Sequence, residues 1–157
     1  MEKTEMEEKY DKYANIVYRT AFSYLKNQSD AEDAVQDVFL KYFASDRSFD
    51  SEQHEKAWFT RVTINYCKDI LKSFRVRNTV PLEDAGDIFD SPDEKTVYSA
   101  VMTLPKKFSL VIHLYYFEGY STKEIAQMSG KSDQAIRTRL SRARKMLKKL
   151  LGEDFGI

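Results

Sequence analysis

The chain has 157 residues, enough for one ordinary domain or two small ones, and its 25 Lys plus Arg balance 25 Asp plus Glu, so net charge points to no particular partner. Its single cysteine, Cys67, excludes an internal disulfide and suits a reducing compartment. No apolar run approaches the ~20 residues of a membrane span, and the opening MEKTEMEEKY lacks signal-peptide character, so the expected location is cytoplasmic, without direct membrane insertion.

Five glycines and three prolines leave few breaks, and alternating strand patterns are absent. The fold class expected is therefore all-α, as two small helical domains joined by a flexible acidic linker, the C-terminal one a helix-turn-helix. The first amphipathic helix is predicted over about residues 7–26, where Tyr10, Tyr13, Val17, Ala21 and Leu25 recur at helical spacing. Ser29 and Glu32 have capping-box spacing and open a second helix, with Ala34, Val35, Val38, Phe39 and Tyr42 on its buried face. The exposed side of that helix presents Asp33, Gln36, Asp37 and Leu40. A polar loop over residues 45–53 leads to a third helix, about residues 54–74, with Trp58, Phe59, Val62, Tyr66, Ile70 and Phe74 as its core stripe.

On the other side of the third helix Arg61, Asn65, Lys68, Lys72 and Arg75 follow at spacings of four, three, four and three, lining one cationic face. Cations with aromatic neighbours such as Trp58 can track a phosphate backbone while unpaired bases stack. An ordinary solvent face over an aromatic core has the same pattern. The segment that follows, VPLEDAGDIFDSPDE, holds six acids and no base, with two prolines and a glycine. It reads as an extended anionic linker, residues 77–93, between domains 1–76 and 94–157. Ser91, Pro92 and Glu94 then signal a helix start, and a further helix of about residues 106–118 ends at Gly119.

Ser121 and Glu124 form another capping-box pattern, opening a short helix to about Ser129. Gly130 stands where a left-handed helix end needs no Cβ, and Ser132 is a fresh N-cap. In the last helix Ile136, Leu140, Ala143, Leu147 and Leu150 form one buried stripe, while seven Arg and Lys residues face the single acid Asp133. Two helices across a tight glycine turn, the second strongly basic, make the pattern of a DNA-reading helix-turn-helix. Enzyme chemistry finds no support: His54 and His113 have no acid or cysteine at ligand spacing, and neither a phosphate-cradling glycine loop nor a nucleophile elbow is present. No metal or cofactor is expected, and Cys67 is read as structural.

The stretches DAEDAVQDVFLKYF, AWFTRVTINYCKDILKSFR and LPKKFSLVIHLYYFEGYSTKEIAQMSGKSDQAIRTRLSRARKMLKKLL, in that order, closely resemble bacterial RNA polymerase sigma factors of the extracytoplasmic-function group. The resemblance implies a promoter-specificity subunit, not an enzyme, whose partners are core RNA polymerase and promoter DNA. Asp33, Gln36, Asp37 and Leu40 match the surface for the clamp helices of the largest polymerase subunit, and the C-terminal domain would meet the flap of the second largest. Trp58, Arg61, Asn65, Lys68, Lys72 and Arg75 match the part that melts the minus-ten element and holds its non-template strand, with Asn65 near the pocket for an extruded base. Ser132, Arg137, Thr138, Arg139, Ser141, Arg142, Arg144 and Lys145 match the reader of the minus-thirty-five element.

With no sensor domain in the sequence, the resemblance also implies masking by an anti-sigma factor, which can be membrane-bound. One departure is Ser109, where many relatives have arginine. The alternatives are a stand-alone helix-turn-helix transcription regulator, which has no need of the cationic face on the third helix, and an interaction protein that sequesters another partner.

Overall fold

A computed structural model describes residues 2–73 and 92–152. Among the described residues every regular element is helical. The chain divides into two compact units, Met1–Thr79 and Val80–Ile157. The first contains α1 (Lys3–Leu25), α2 (Gln28–Ala44) and α3 (Glu52–Lys72). The second contains α4 (Pro92–Thr103), α5 (Lys106–Ile112), a π-helical turn (His113–Phe117), α6 (Thr122–Ser129) and α7 (Asp133–Leu151). Most of the acidic stretch, with Ser91, lies outside the described residues, as do Phe74 and Arg75.

In the first unit α1, α2 and α3 pack pairwise around an aromatic core. Phe59, fully buried, is its hub: Tyr13 stacks on it at 4.5 Å, and Tyr42 and Phe39 tilt against it at 4.8 and 5.1 Å. Burying one such ring stabilises the fold by about 1.5–3 kcal/mol. Within this core lies an acid, Glu55, whose carboxylate accepts hydrogen bonds from Tyr13 Oη (2.8 Å), Lys9 Nζ (2.8 Å) and Tyr42 Oη (2.7 Å). Burial alone would raise its pKa, but these three donors outweigh burial and hold it below the ordinary carboxylate value. The two phenols respond oppositely: burial first, and then the Glu55 carboxylate, push both up. Glu55 thereby ties α3 to α1 and α2 at one point.

Two readings of the sequence are corrected here. The second helix is not capped by Ser29, because α1 ends on Lys26 in a left-handed conformation (φ 55°) and the chain restarts at once. Asn27 is the N-cap, its Oδ1 accepting from the Asp30 amide at 2.9 Å. The core stripe of α3 is also rotated. Val62, Tyr66 and Ile70 are only half-buried, while Thr60, Thr63, Ile64 and Cys67 face inward. Threonine enters the core because its hydroxyl is satisfied within the helix: Thr60 donates to the Lys56 carbonyl (3.1 Å) and Thr63 to that of Phe59 (2.7 Å). A reading by residue polarity puts both outside.

In the second unit α7 packs on α4, α5 and α6. The π-helical turn was not foreseen; its Glu118 amide reaches the His113 carbonyl five residues back at 3.0 Å. The wider turn brings residues five apart onto one side, so the Glu118 carboxylate lies 2.9 Å from Nε2 of the fully buried His113. His113 thus has an acid beside it that linear spacing hid. Ser109 is fully buried and donates to the Lys106 carbonyl at 3.2 Å, so its position is one of packing.

Candidate nucleic-acid and protein interfaces

The turn before α7 forms as its residues dictate. Ser121 Oγ accepts from the Glu124 amide (3.1 Å) and Glu124 Oε1 from the Ser121 amide (2.9 Å), a complete capping box. Gly130 takes φ 69° and the Lys131 amide returns to the Ala126 carbonyl at 3.1 Å, closing α6. Ser132 then caps α7, accepting from the Ala135 amide at 3.1 Å. Ile136, Leu140, Ala143 and Leu147, each at most 2 % exposed, seat α7 on the unit. Leu150 departs from that stripe at 55 % exposed.

Burial of that stripe fixes the opposite side as outward. There Gln134, Arg137, Thr138, Ser141, Arg142 and Lys145 line a shallow open depression. Five of these six were expected to meet DNA; the sixth, Gln134, was not among the residues the resemblance implied. The other expected residues lie at the margins. Arg139 and Arg144 are half-buried on opposite flanks, and the Ser132 hydroxyl oxygen serves as the cap. Two guanidinium groups are already positioned. Arg137 Nε is 3.2 Å from Asp133 Oδ2. Arg144 Nε donates to Tyr116 Oη at 2.7 Å, and its guanidinium lies 5.6 and 5.7 Å from the ring centres of Tyr115 and Tyr116. The π-helical turn supplies both rings, a link that no sequence spacing suggests.

On α3, Arg61, Asn65 and Lys72 are exposed and Lys68 is half-buried along one face; Arg75 lies outside the described residues. Trp58 was read both as part of the core stripe and as part of the melting surface, and its burial favours the first. Seven residues before Asn65, it has the phase of the cationic face, yet it is only 7 % exposed. Phe49, from the loop read as polar, meets it edge-on at 6.1 Å and itself stacks on Tyr42 at 6.4 Å. Trp58 is therefore a support beneath the face. Cys67 is 1 % exposed, and burial, reinforced by the Asp30 charge, raises its thiol pKa, which leaves it inert.

On α2, Asp33, Gln36 and Leu40 are exposed and Asp37 is half-buried, paired with Lys41 at 2.9 Å. They fall at i, i+3, i+4 and i+7, one strip of the helix. Leu40 is 71 % exposed, a large apolar side chain standing among acids. Tyr66 of α3 lies near this strip: burial first, then the carboxylates of Asp33 and Asp37, raise its pKa. No described helix is long and apolar enough to cross a membrane.

Comparison with known proteins identifies the family. The family models "Sigma-70 region 2" and "Sigma-70, region 4" match residues 10–77 and 94–147. The chain is 32 % identical over 144 residues to RNA polymerase sigma factor SigV of Bacillus subtilis, covering 88 % of this chain and 87 % of that protein. It is 30 % identical over 140 residues to the ECF RNA polymerase sigma factor SigM of Mycobacterium tuberculosis, covering 87 % of this chain and 71 % of that protein. A solved structure of the sigma factor RpoE in complex with the anti-sigma factor NepR, from Bartonella quintana, is similar at TM-score 0.72 and 25 % identity, over 96 % of this chain and 98 % of that one. CnrH, solved with the cytosolic domain of CnrY, shares the fold at TM-score 0.67 and 24 % identity, over 98 % of this chain and 91 % of that one. With both of its units matched in order and two relatives covered over 87 % and 71 % of their length, this chain belongs to the sigma-70 family, as a sigma subunit of RNA polymerase in the extracytoplasmic-function group.

Proposed function

We propose the following division of labour for this sigma subunit. Residues 1–76 bind core polymerase and open the minus-ten element, residues 94–157 read the minus-thirty-five element, and the acidic segment 77–93 joins them. The strip Asp33, Gln36, Asp37 and Leu40 docks on the clamp helices of the largest polymerase subunit: its acids meet basic partners and Leu40 removes apolar surface from water. Arg61, Lys68 and Lys72, with Arg75, follow the phosphates of the non-template strand, and Asn65 faces the extruded base. Holding a base outside the stack lowers the cost of keeping the strands apart.

The central face of α7 enters the major groove. Arg142 and Lys145 neutralise phosphates, while Arg137, Thr138 and Ser141 reach base edges or read groove shape; Ser132, Arg139 and Arg144 contact the backbone at the margins. The second unit also meets the flap of the second-largest polymerase subunit. The role is one of recognition and opening in the cytoplasm, without a catalytic step. An anti-sigma factor, membrane-bound or soluble, masks these surfaces in the resting state; the RpoE structure in complex with NepR supports this reading.

The observation that carries the assignment is the outward face of α7, lined by polar and basic side chains and fixed by a fully buried stripe behind it. Run-off transcription tests it: purified core polymerase and a library of promoter fragments are compared with and without the protein. Initiation at a shared pair of elements only in its presence is expected. Duplex binding without any gain of initiation would replace this division with that of a stand-alone regulator.

A further inference from the structure

We propose that Gln134 is a specificity-determining residue that reads an adenine in the major groove of the minus-thirty-five element. This rests on the assignment of α7 as the reader of that element. Gln134 is exposed and lines the outward depression together with Arg137, Thr138 and Ser141. It stands in the first turn of α7, one residue after Asp133, and N-terminal residues of a recognition helix are those that meet base edges. Gln134 and Lys145, eleven residues apart, fall at nearly one helical phase, separated by about 16 Å along the axis. A helix seated by its central bases therefore carries Gln134 into the groove with them.

The chemistry of the neighbours singles this residue out. Arg137 is drawn toward Asp133 at 3.2 Å, and Arg144 is held by Tyr116 at 2.7 Å, so both are directed to fixed positions. The Gln134 carboxamide has no hydrogen-bond partner among the described residues, and it is the only carboxamide in α7. A free carboxamide offers one acceptor and one donor side by side, the complement of the adenine N6 amine and N7. Arginine and lysine prefer guanine, and serine and threonine discriminate weakly, so on this face the adenine preference falls to Gln134.

The test is a selection of minus-thirty-five sequences from a randomised promoter library, by the full chain bound to core polymerase. Wild type is compared with Gln134→Ala and Gln134→Glu. The exposed position should leave folding intact, which thermal melting of each variant checks. Wild type is expected to select an adenine at one position. Gln134→Ala should lose that preference by about 5- to 150-fold, corresponding to the ~1–3 kcal/mol of a bidentate pair, while other positions keep theirs. Gln134→Glu should turn the same position toward cytosine, whose N4 amine donates to a carboxylate. An adenine preference unchanged in Gln134→Ala, or uniform weakening at every position, would overturn the inference and leave the reader assignment standing. Selection of no upstream element by wild type would overturn both.

Discussion

Replacing Glu55 by glutamine should destabilise the first unit by about 2–4 kcal/mol at neutral pH. The side chain keeps its size, so the loss is electrostatic. Three donors converge on the carboxylate, at 2.7, 2.8 and 2.8 Å. A hydrogen bond to a charged group contributes about 1.5–3 kcal/mol and a neutral one about 0.5–1.5. Neutralisation therefore removes about 1 kcal/mol from each bond to the buried phenols, and the amide nitrogen leaves one of them facing a donor. Lys9, with a third of its side chain exposed, recovers water, so its share is the smallest.

Urea unfolding followed by fluorescence of Trp58, the sole tryptophan and a core residue of this unit, measures the difference. The pH dependence gives a second check with a definite sign. The carboxyl of Glu55 is held below its ordinary value of 4.5 in the folded chain. Its contribution is therefore fully present above that value and lost as the pH falls through the folded one. The gap between wild type and Glu55→Gln should stay constant near neutrality and close under acid conditions below that value. A gap under about 0.5 kcal/mol at pH 7, less than one net hydrogen bond, or one that persists on acidification, would refute the assignment of this network as the tie between the three helices.

Arg142→Ala should weaken promoter binding by sigma and polymerase and reduce the salt slope by about 0.9, the value for one neutralised phosphate; an unchanged slope in titrations at several salt concentrations would remove Arg142 from the backbone contacts. Asn65→Ala should leave affinity for core polymerase unchanged and reduce strand opening, read by permanganate reactivity of the minus-ten thymines; undiminished opening would contradict the placement of an extruded base beside α3. Asn27→Ala should cost about 0.5–2 kcal/mol as a lost N-cap, whereas Ser29→Ala should stay within about 0.5 kcal/mol, both by urea titration. The reverse order would restore Ser29 as the cap.

Both halves of the helix-turn-helix were legible in the sequence because their signals are local. A capping box spans Ser121 to Glu124, and Gly130 and Ser132 act on their own backbone, so nothing distant is needed to place the turn. The buried stripe of α7 was legible for the same reason, since a period of three and four residues is a property of the segment itself. The resemblance added the order of the pieces and, with it, the family.

What the sequence concealed depends on elements far apart along the chain. Nothing near Glu55 in the sequence marks it as buried; Tyr13 and Tyr42, 42 and 13 residues away, close on its carboxylate. Phe49, from a loop read as polar, covers Trp58, and Thr63 is polar by letter yet buried because its hydroxyl bonds within the helix. The π-helical turn sets Glu118 beside His113 and Tyr116 beneath Arg144, 28 residues on. Periodicity and capping locate the helices to within a few residues, because those terms involve neighbours within one or two turns, yet the cap of α2 fell on Asn27 and the buried side of α3 was turned from the expected stripe. Which polar groups find partners inside, and which outward side chains remain free to meet DNA, is decided only when the helices pack, because desolvation and hydrogen bonding there depend on residues the chain brings from elsewhere.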